Sequence, residues 1–312
     1  MAYADLMKRL GRGGIAILDG GTGTELERRG VAMSPGAWCG PATLTNRPVL
    51  EAVHADYIRA GADVITANTY ASSRLMLGPA GYGDRVEEIN RIAVETALTA
   101  RERAGAAGVV VAGSLSHMVP VIAGTEWFDP AAMPEPAAIA DAFAELAGIL
   151  RDAGCDMIIL EMMYDPDRMI AAIAAARSTG LPVWAGLSSR RGADGAVLGF
   201  SHHADVPFDD IAALLSDSGA EAAGIMHTPS DLVAPSIEII RRHFDGPLLA
   251  YPDSGHFKMP HWKFEDIIPP DDFAAYASQW SAAGVRIIGG CCGLSPDHIA
   301  AIAALKEGPA LA

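Results

Sequence analysis

Cysteine is scarce in this chain of 312 residues, aromatic residues make up 6%, and basic residues are outnumbered by acidic ones. The four cysteines, Cys39, Cys155, Cys291 and Cys292, are too few for a disulfide framework, and a bond between the adjacent pair would strain the peptide that joins them. Thiol or metal chemistry is the expected use. Lys plus Arg number 23 against 38 Asp plus Glu, a formal net charge of −15 that opposes a polyanion, so no nucleic acid partner is expected. The longest apolar run, residues 169–176, falls far short of the ~18 residues that cross a bilayer, so no membrane association is expected either. Lys8 and Arg9 are not followed by an apolar stretch or a small-residue cleavage site, and the expected location is cytoplasmic.

What is present is core. Half of the residues are hydrophobic and 20% are charged, the balance of a folded globular protein. Eight short β-branched runs, at 15–19, 64–69, 109–115, 157–162, 182–187, 222–227, 247–251 and 286–291, read as strands buried on both faces. Helical patterns lie between them, such as Leu50, Val53, Tyr57 and Ile58, or Ile139, Phe143, Leu146, Ile149 and Leu150. Asp165-Pro166, Thr228-Pro229 and Ser295-Pro296 read as helix starts, and Gly61, Gly105, Gly154, Gly180, Gly219 and Gly284 as helix stops. Eight βα units predict an α/β fold, a single (β/α)8 TIM barrel forming one domain over 1–312. An open dinucleotide-binding sheet is disfavoured, because Gly20, Gly21 and Gly23 do not have the Gly-x-Gly-x-x-Gly spacing. Extra length after the first, third and seventh strands, near 20–45, 116–134 and 253–270, falls where barrels build active sites.

The motif Gly289-Gly290-Cys291-Cys292-Gly293 puts two thiols at the C-terminal end of the eighth strand. Both can reach one soft metal, with tetrahedral Zn2+ the common outcome and a third ligand supplied by another strand. The alternatives are two small core residues or a redox-sensing thiol pair.

Three segments then carry a family resemblance: Ile17-Leu18-Asp19-Gly20-Gly21-Thr22-Gly23-Thr24-Glu25-Leu26; Ala60-Gly61-Ala62-Asp63-Val64-Ile65 leading to Asn68-Thr69-Tyr70; and the glycine-cysteine motif followed by Ser295-Pro296-Asp297-His298-Ile299. Over about 14–302 the chain resembles the homocysteine S-methyltransferases. The resemblance implies a zinc-dependent barrel that passes a methyl group from a donor to homocysteine, giving methionine. It implies zinc on Cys291, Cys292 and the end of the sixth strand, the substrate carboxylate on the backbone of Gly20 and Gly21, and the substrate ammonium on Asp19 and Glu161. Thr69 and Tyr70 fall at the mouth of the second strand, where the family lines its site. On composition alone Asp19 could equally cap a turn, and Glu161 could be a solvated strand-end charge.

The sequence departs from the family pattern at informative places. The sixth strand reads Gly224-Ile225-Met226-His227 where the family has Gly-Ile/Val-Asn-Cys, so a histidine, itself a good zinc ligand, stands at the third cysteine position. With one thiolate fewer, the metal centre is less negative, which lowers the pKa of a bound thiol and weakens its thiolate as a nucleophile. After strand seven the chain has Tyr251-Pro252-Asp253-Ser254-Gly255-His256, with Asp253 and His256 in place of Asn and Glu. The third-strand loop from Ser114 to Pro120 lacks the family's Pro-Tyr-Gly. Trp38, Trp127, Phe128, Phe257 and Trp262 are candidates to cage a methylated cation, or else to form a lid or a homo-oligomer contact. His202 and His203 read as a solvated loop pair. The expected partners are small molecules, a homocysteine-like thiol and a sulfonium or quaternary ammonium donor. A barrel with another donor or thiol acceptor, and a zinc- or thiol-binding homologue without turnover, are the alternatives.

Overall fold

The computed structural model describes residues 2–307. Its eight central strands are β1 (Ala16–Ile17), β2 (Val64–Thr66), β3 (Val110–Ser116), β4 (Met157–Met163), β5 (Val183–Leu187), β6 (Ala222–Pro229), β7 (Leu248–Asp253) and β8 (Val285–Ile288). Each pairs in parallel with its sequence neighbour, and β1 pairs with β8 through Ala16 opposite Ile287 and Ile17 opposite Ile288. A parallel bridge from Leu18 to Val64, with Asp63 N–H donating to Ile17 O at 2.7 Å, joins β1 to β2 and closes the ring. The expected (β/α)8 barrel is the fold.

The apolar patterns act as their spacing requires. In the helix Arg47–Ala60, Leu50, Val53 and Tyr57 are buried, and in Pro136–Ala153 so are Ile139, Phe143, Leu146, Ile149 and Leu150. These helices end at Gly61 and Gly154, whose φ values of 106° and 95° are left-handed and cost a side-chain-bearing residue steric strain. Asp165 caps its helix by accepting from Arg168 N–H at 3.0 Å. Ser295 forms a capping box with His298. The Thr228-Pro229 signal is displaced: β6 runs through Pro229 and the helix starts at Ser230, so the proline precedes the first turn.

Three strands, β1, β2 and β8, end before their apolar runs do. Beyond Ile288 the backbone leaves the ladder but keeps bonding to its neighbours, with Gly290 N–H donating to Asp19 O at 3.1 Å and Cys291 N–H to Pro252 O at 2.7 Å. The glycine-cysteine motif is thus a turn held between the ends of β1 and β7. Long segments follow β1, β3 and β7 as expected, and two further elaborations crown the same end: helical turns over Arg74–Leu77, Gly78–Tyr82 and Gly83–Arg85, and a hairpin of Ser189–Arg191 with Val197–Gly199. No described helix is long and apolar enough to cross a membrane.

Candidate metal and substrate site

The site begins with a close approach of two strands. A Cβ on Gly224 would lie 1.9 Å from Leu249 O, so β6 and β7 come together where only glycine fits. Beyond it the β6–β7 register shifts between Met226 and Pro229, and His227 takes a left-handed φ of 44°. A regular strand sends successive side chains to opposite faces. The left-handed residue breaks that alternation, and Met226 and His227 both line one cavity. The same device operates on β4, where the register shifts between Leu160 and Met163, Met162 has φ 59°, and Glu161 and Met162 both line the cavity. Such backbone strain persists where surrounding structure enforces it, commonly at functional sites.

The turn carrying the thiols is clamped from two sides. A Cβ on Gly21 would meet Cys291 O at 2.7 Å and Cys292 Cα at 2.9 Å, and one on Gly293 would meet Ser254 O at 1.9 Å. Thr24 Oγ1 accepts from Gly293 N–H at 3.1 Å, and Ser254 N–H donates to Cys292 O at 3.0 Å. The Sγ atoms of Cys291 and Cys292 are 3.9 Å apart. One ligand atom from each of His227, Cys291 and Cys292 lies within 4.8 Å of the others, and all three residues are buried.

This donor set fits a metal. Two thiolates on a tetrahedral ion with metal–sulfur bonds of ~2.3 Å stand about 3.8 Å apart, close to the observed separation. Two soft thiols and an imidazole also match the chemistry of such sites. The bond to Cys292 and burial push the Cys291 thiol well up; for Cys292 that same bond is the largest influence and lowers the pKa, but burial together with the charges of Asp253 and Glu161 leaves the thiol raised. Burial alone would lower the pKa of His227, but the Asp253 carboxylate and Cys291 raise it to about 9. His227 Nδ1 is 3.3 Å from Asp253 Oδ2. A metal entering this group displaces protons.

Around the group is a cavity of about 1080 Å3 including its open mouth. Among the sequence-derived candidates, Gly21, Tyr70, Glu161, His227, Cys291 and Cys292 line it. Asp19, Gly20 and Thr69 stand one layer behind. Asp19 is fully buried and accepts from Thr66 N–H at 2.6 Å, Thr66 Oγ1 at 3.1 Å and the Tyr251 hydroxyl at 3.1 Å. Gly20 O accepts from the same hydroxyl at 3.2 Å, and Gly21 N–H donates to Leu294 O at 3.3 Å. Thr69 Oγ1 donates to Ser114 O at 2.8 Å. Burial raises Asp19 and Glu161 each to about 7, and for Asp19 the charge of Glu161 adds to the rise.

The mouth is aromatic. Trp38 packs edge-on against Phe257 at 5.4 Å and Tyr70 at 6.0 Å, and His227 against Phe200 at 5.1 Å and Trp262 at 5.9 Å. Trp127 instead lies exposed over His202, outside the wall. Several wall residues escape a reading of the sequence, notably Glu126, Met162, Tyr164 and Phe200. Glu126 is 3.2 Å from His202, and the hydrogen bond between them holds the carboxyl below its usual range. Its one sequence signal is a place in the long loop after β3. No lysine or arginine lines the cavity among the described residues.

Comparison with known proteins agrees with this geometry. A family profile described as homocysteine S-methyltransferase matches residues 16–305. The selenocysteine Se-methyltransferase of Brassica oleracea var. italica is 29% identical, over 93% of this chain and 88% of that one, and homocysteine S-methyltransferase 4 of Zea mays is 28% identical, over 95% and 90%. The crystal structure of the homocysteine methyltransferase MmuM from Escherichia coli, metallated form, aligns with a TM-score of 0.74 at 25% identity, covering 96% of this chain and 99% of that one.

Proposed function

Since the chain belongs to the homocysteine S-methyltransferase family, we propose that it moves a methyl group from a sulfonium or quaternary ammonium donor to the thiol of homocysteine, giving methionine, with zinc held by His227, Cys291 and Cys292. The observation that carries this reading is the approach of those three donors to within 4.8 Å at the wall of a cavity that also holds Glu161. When bound, zinc supplies the positive charge that keeps a thiol deprotonated at neutral pH, where a free thiol of pKa ~8.5 is mostly protonated.

The protein's own groups do the rest. Glu161 takes the substrate ammonium, with Asp19 behind it adding negative charge and tying Thr66 to Tyr251. The substrate carboxylate is taken by the backbone of the turn that follows β1, where Gly20 and Gly21 bring Thr22 and Gly23 to the cavity wall; the Gly21 N–H itself is held by Leu294 O, so the donors are the first-turn N–H groups that follow it. Thr69 and Tyr70 fix the adjoining wall. The aromatic mouth and the Glu126 carboxylate favour a cationic donor, and the lack of lysine or arginine in the wall removes competition for it. Methyl transfer is then a direct displacement: the acceptor sulfur forms a bond to the methyl carbon as the donor heteroatom leaves with the pair of its former bond. The free thiols fit a reducing cytoplasm.

X-ray absorption at the zinc K-edge, on reduced protein with and without homocysteine, tests the reading. Two sulfur neighbours and one imidazole nitrogen, becoming three sulfurs on addition of homocysteine, are expected. Absence of stoichiometric zinc, or no new sulfur, overturns it. A second reading, a different donor or acceptor, is favoured by His227 and Asp253 at positions where the family pattern differs. A donor-by-acceptor screen yielding another thioether and no methionine would select it.

A further inference from the structure

We propose that Asp253 is a positioning residue that orients the His227 imidazole as a metal ligand; this rests on the metal reading of His227, Cys291 and Cys292. The end of β7 brings Asp253 opposite Pro229 in the β6 register, and its Oδ2 lies 3.3 Å from His227 Nδ1. Both side chains are close to nine-tenths buried, at 12% and 11% exposure. The ring packs edge-on against Phe200 and Trp262, neither of which offers it a hydrogen bond through its face. Cys291, itself a candidate ligand, is hydrogen-bonded to the ring, and the Asp253 carboxylate is the polar partner outside the donor group that sets how the ring presents its nitrogens.

An imidazole that ligates is neutral and carries one N–H. A carboxylate beside Nδ1 favours the tautomer with its hydrogen on that nitrogen and the lone pair on Nε2. Carboxylate partners of this kind fix the tautomer and raise the basicity of ligating histidines. Asp253 also balances charge. Two thiolates cancel a divalent ion, and the neighbouring carboxylate brings the negative charge that a third thiolate would bring. The two departures noted in the sequence, at 227 and at 253, are thus in contact and act as one unit.

The test uses full-length reduced protein and reads metal binding without methyl transfer. Co2+ is titrated by its ligand-field absorption, and Zn2+ by competition with a chelator. D253N is expected to weaken binding by about 10- to 100-fold and to change the Co2+ spectrum, and D253E, which keeps the carboxylate, to recover part of the loss. In an H227C background there is no imidazole to orient, so adding D253N is expected to change affinity by less than about twofold; this comparison stands even where D253N alone fails to fold. Wild-type affinity and spectrum in D253N, or an equal loss from D253N in the H227C background, overturn the proposal alone. A wild-type protein that binds no metal overturns it together with the metal reading.

Discussion

Gly186 on β5 leaves its side-chain space to Met226 on β6: a Cβ built on Gly186 would stand 2.1 Å from Met226 Sδ. Met226 precedes His227, so anything that moves it moves a candidate ligand. Gly186→Ala is expected to cost ~1–3 kcal/mol, the usual range for overpacking, and to lower metal occupancy. Denaturant melts and metal content per chain check this, and a variant with unchanged occupancy would show that the His227 turn is set independently of Met226.

Glu161 is the carboxylate on the cavity wall nearest in kind to a substrate-ammonium partner. Glu161→Gln removes the charge and keeps the shape, so acceptor affinity should fall by ~1.5–3 kcal/mol, the range for a hydrogen bond to a charged group, with metal content unchanged. Calorimetric titration with homocysteine measures it; equal affinity would remove Glu161 from that role.

The raised carboxyls set a pH dependence. Glu161 and Asp19 sit near 7 in the folded chain against ordinary values of 4.5 and 3.8. Between those limits the folded chain holds protons that the unfolded chain has lost, so their contribution to stability is complete below about 4 and is lost as pH rises through 7. Binding runs the other way, because an ammonium needs the ionised form: the KM for the acceptor should rise as pH falls below about 7. Denaturation of substrate-free wild type and E161Q at several pH values isolates the first effect, E161Q losing less stability on going from pH 5 to 8. An acceptor KM that is flat over the same range would contradict the second.

Metal removal should soften the barrel. His227 leaves from β6 and the thiols from the turn after β8, so one ion would tie two strands across β7. A ligand at a thousand times its dissociation constant adds ~4 kcal/mol to stability, and stripping the protein with a chelator should lower Tm by several degrees, with recovery on adding Zn2+. Scanning calorimetry of stripped and reloaded samples decides the point.

The barrel was legible because each βα unit announces itself locally. Buried apolar runs, the Asp165 cap and the glycine stops are signals within a few residues of chain, and Gly61 and Gly154 adopt the left-handed conformation such stops require. The three candidate donors, His227, Cys291 and Cys292, were legible through motif and position, and the fold brings them together. The wall was harder: Phe200 and Glu126 join it because loops after β5 and β3 fold over the mouth, which depends on contacts distant in sequence. Nor did alternation along β4 and β6 announce itself as broken, since nothing in Met162 or His227 marks a left-handed residue. The ends of β1, β2 and β8 were read too long, because backbone can keep hydrogen bonding after it stops being a strand, as the glycine-rich segments after β1 and β8 do and as Ala67 N–H does in donating to Ala112 O.

The ring closes only when Ala16 and Ile17 find Ile287 and Ile288, and the two thiols arrive just after that last strand. During synthesis, while domains form from the N-terminus onward, the emerging chain carries a single imidazole of the three donors and an open sheet edge at β1. A metal that needs all three donors would therefore bind only after the strand that closes the ring has been made, so that closing the barrel and completing the donor set are one step.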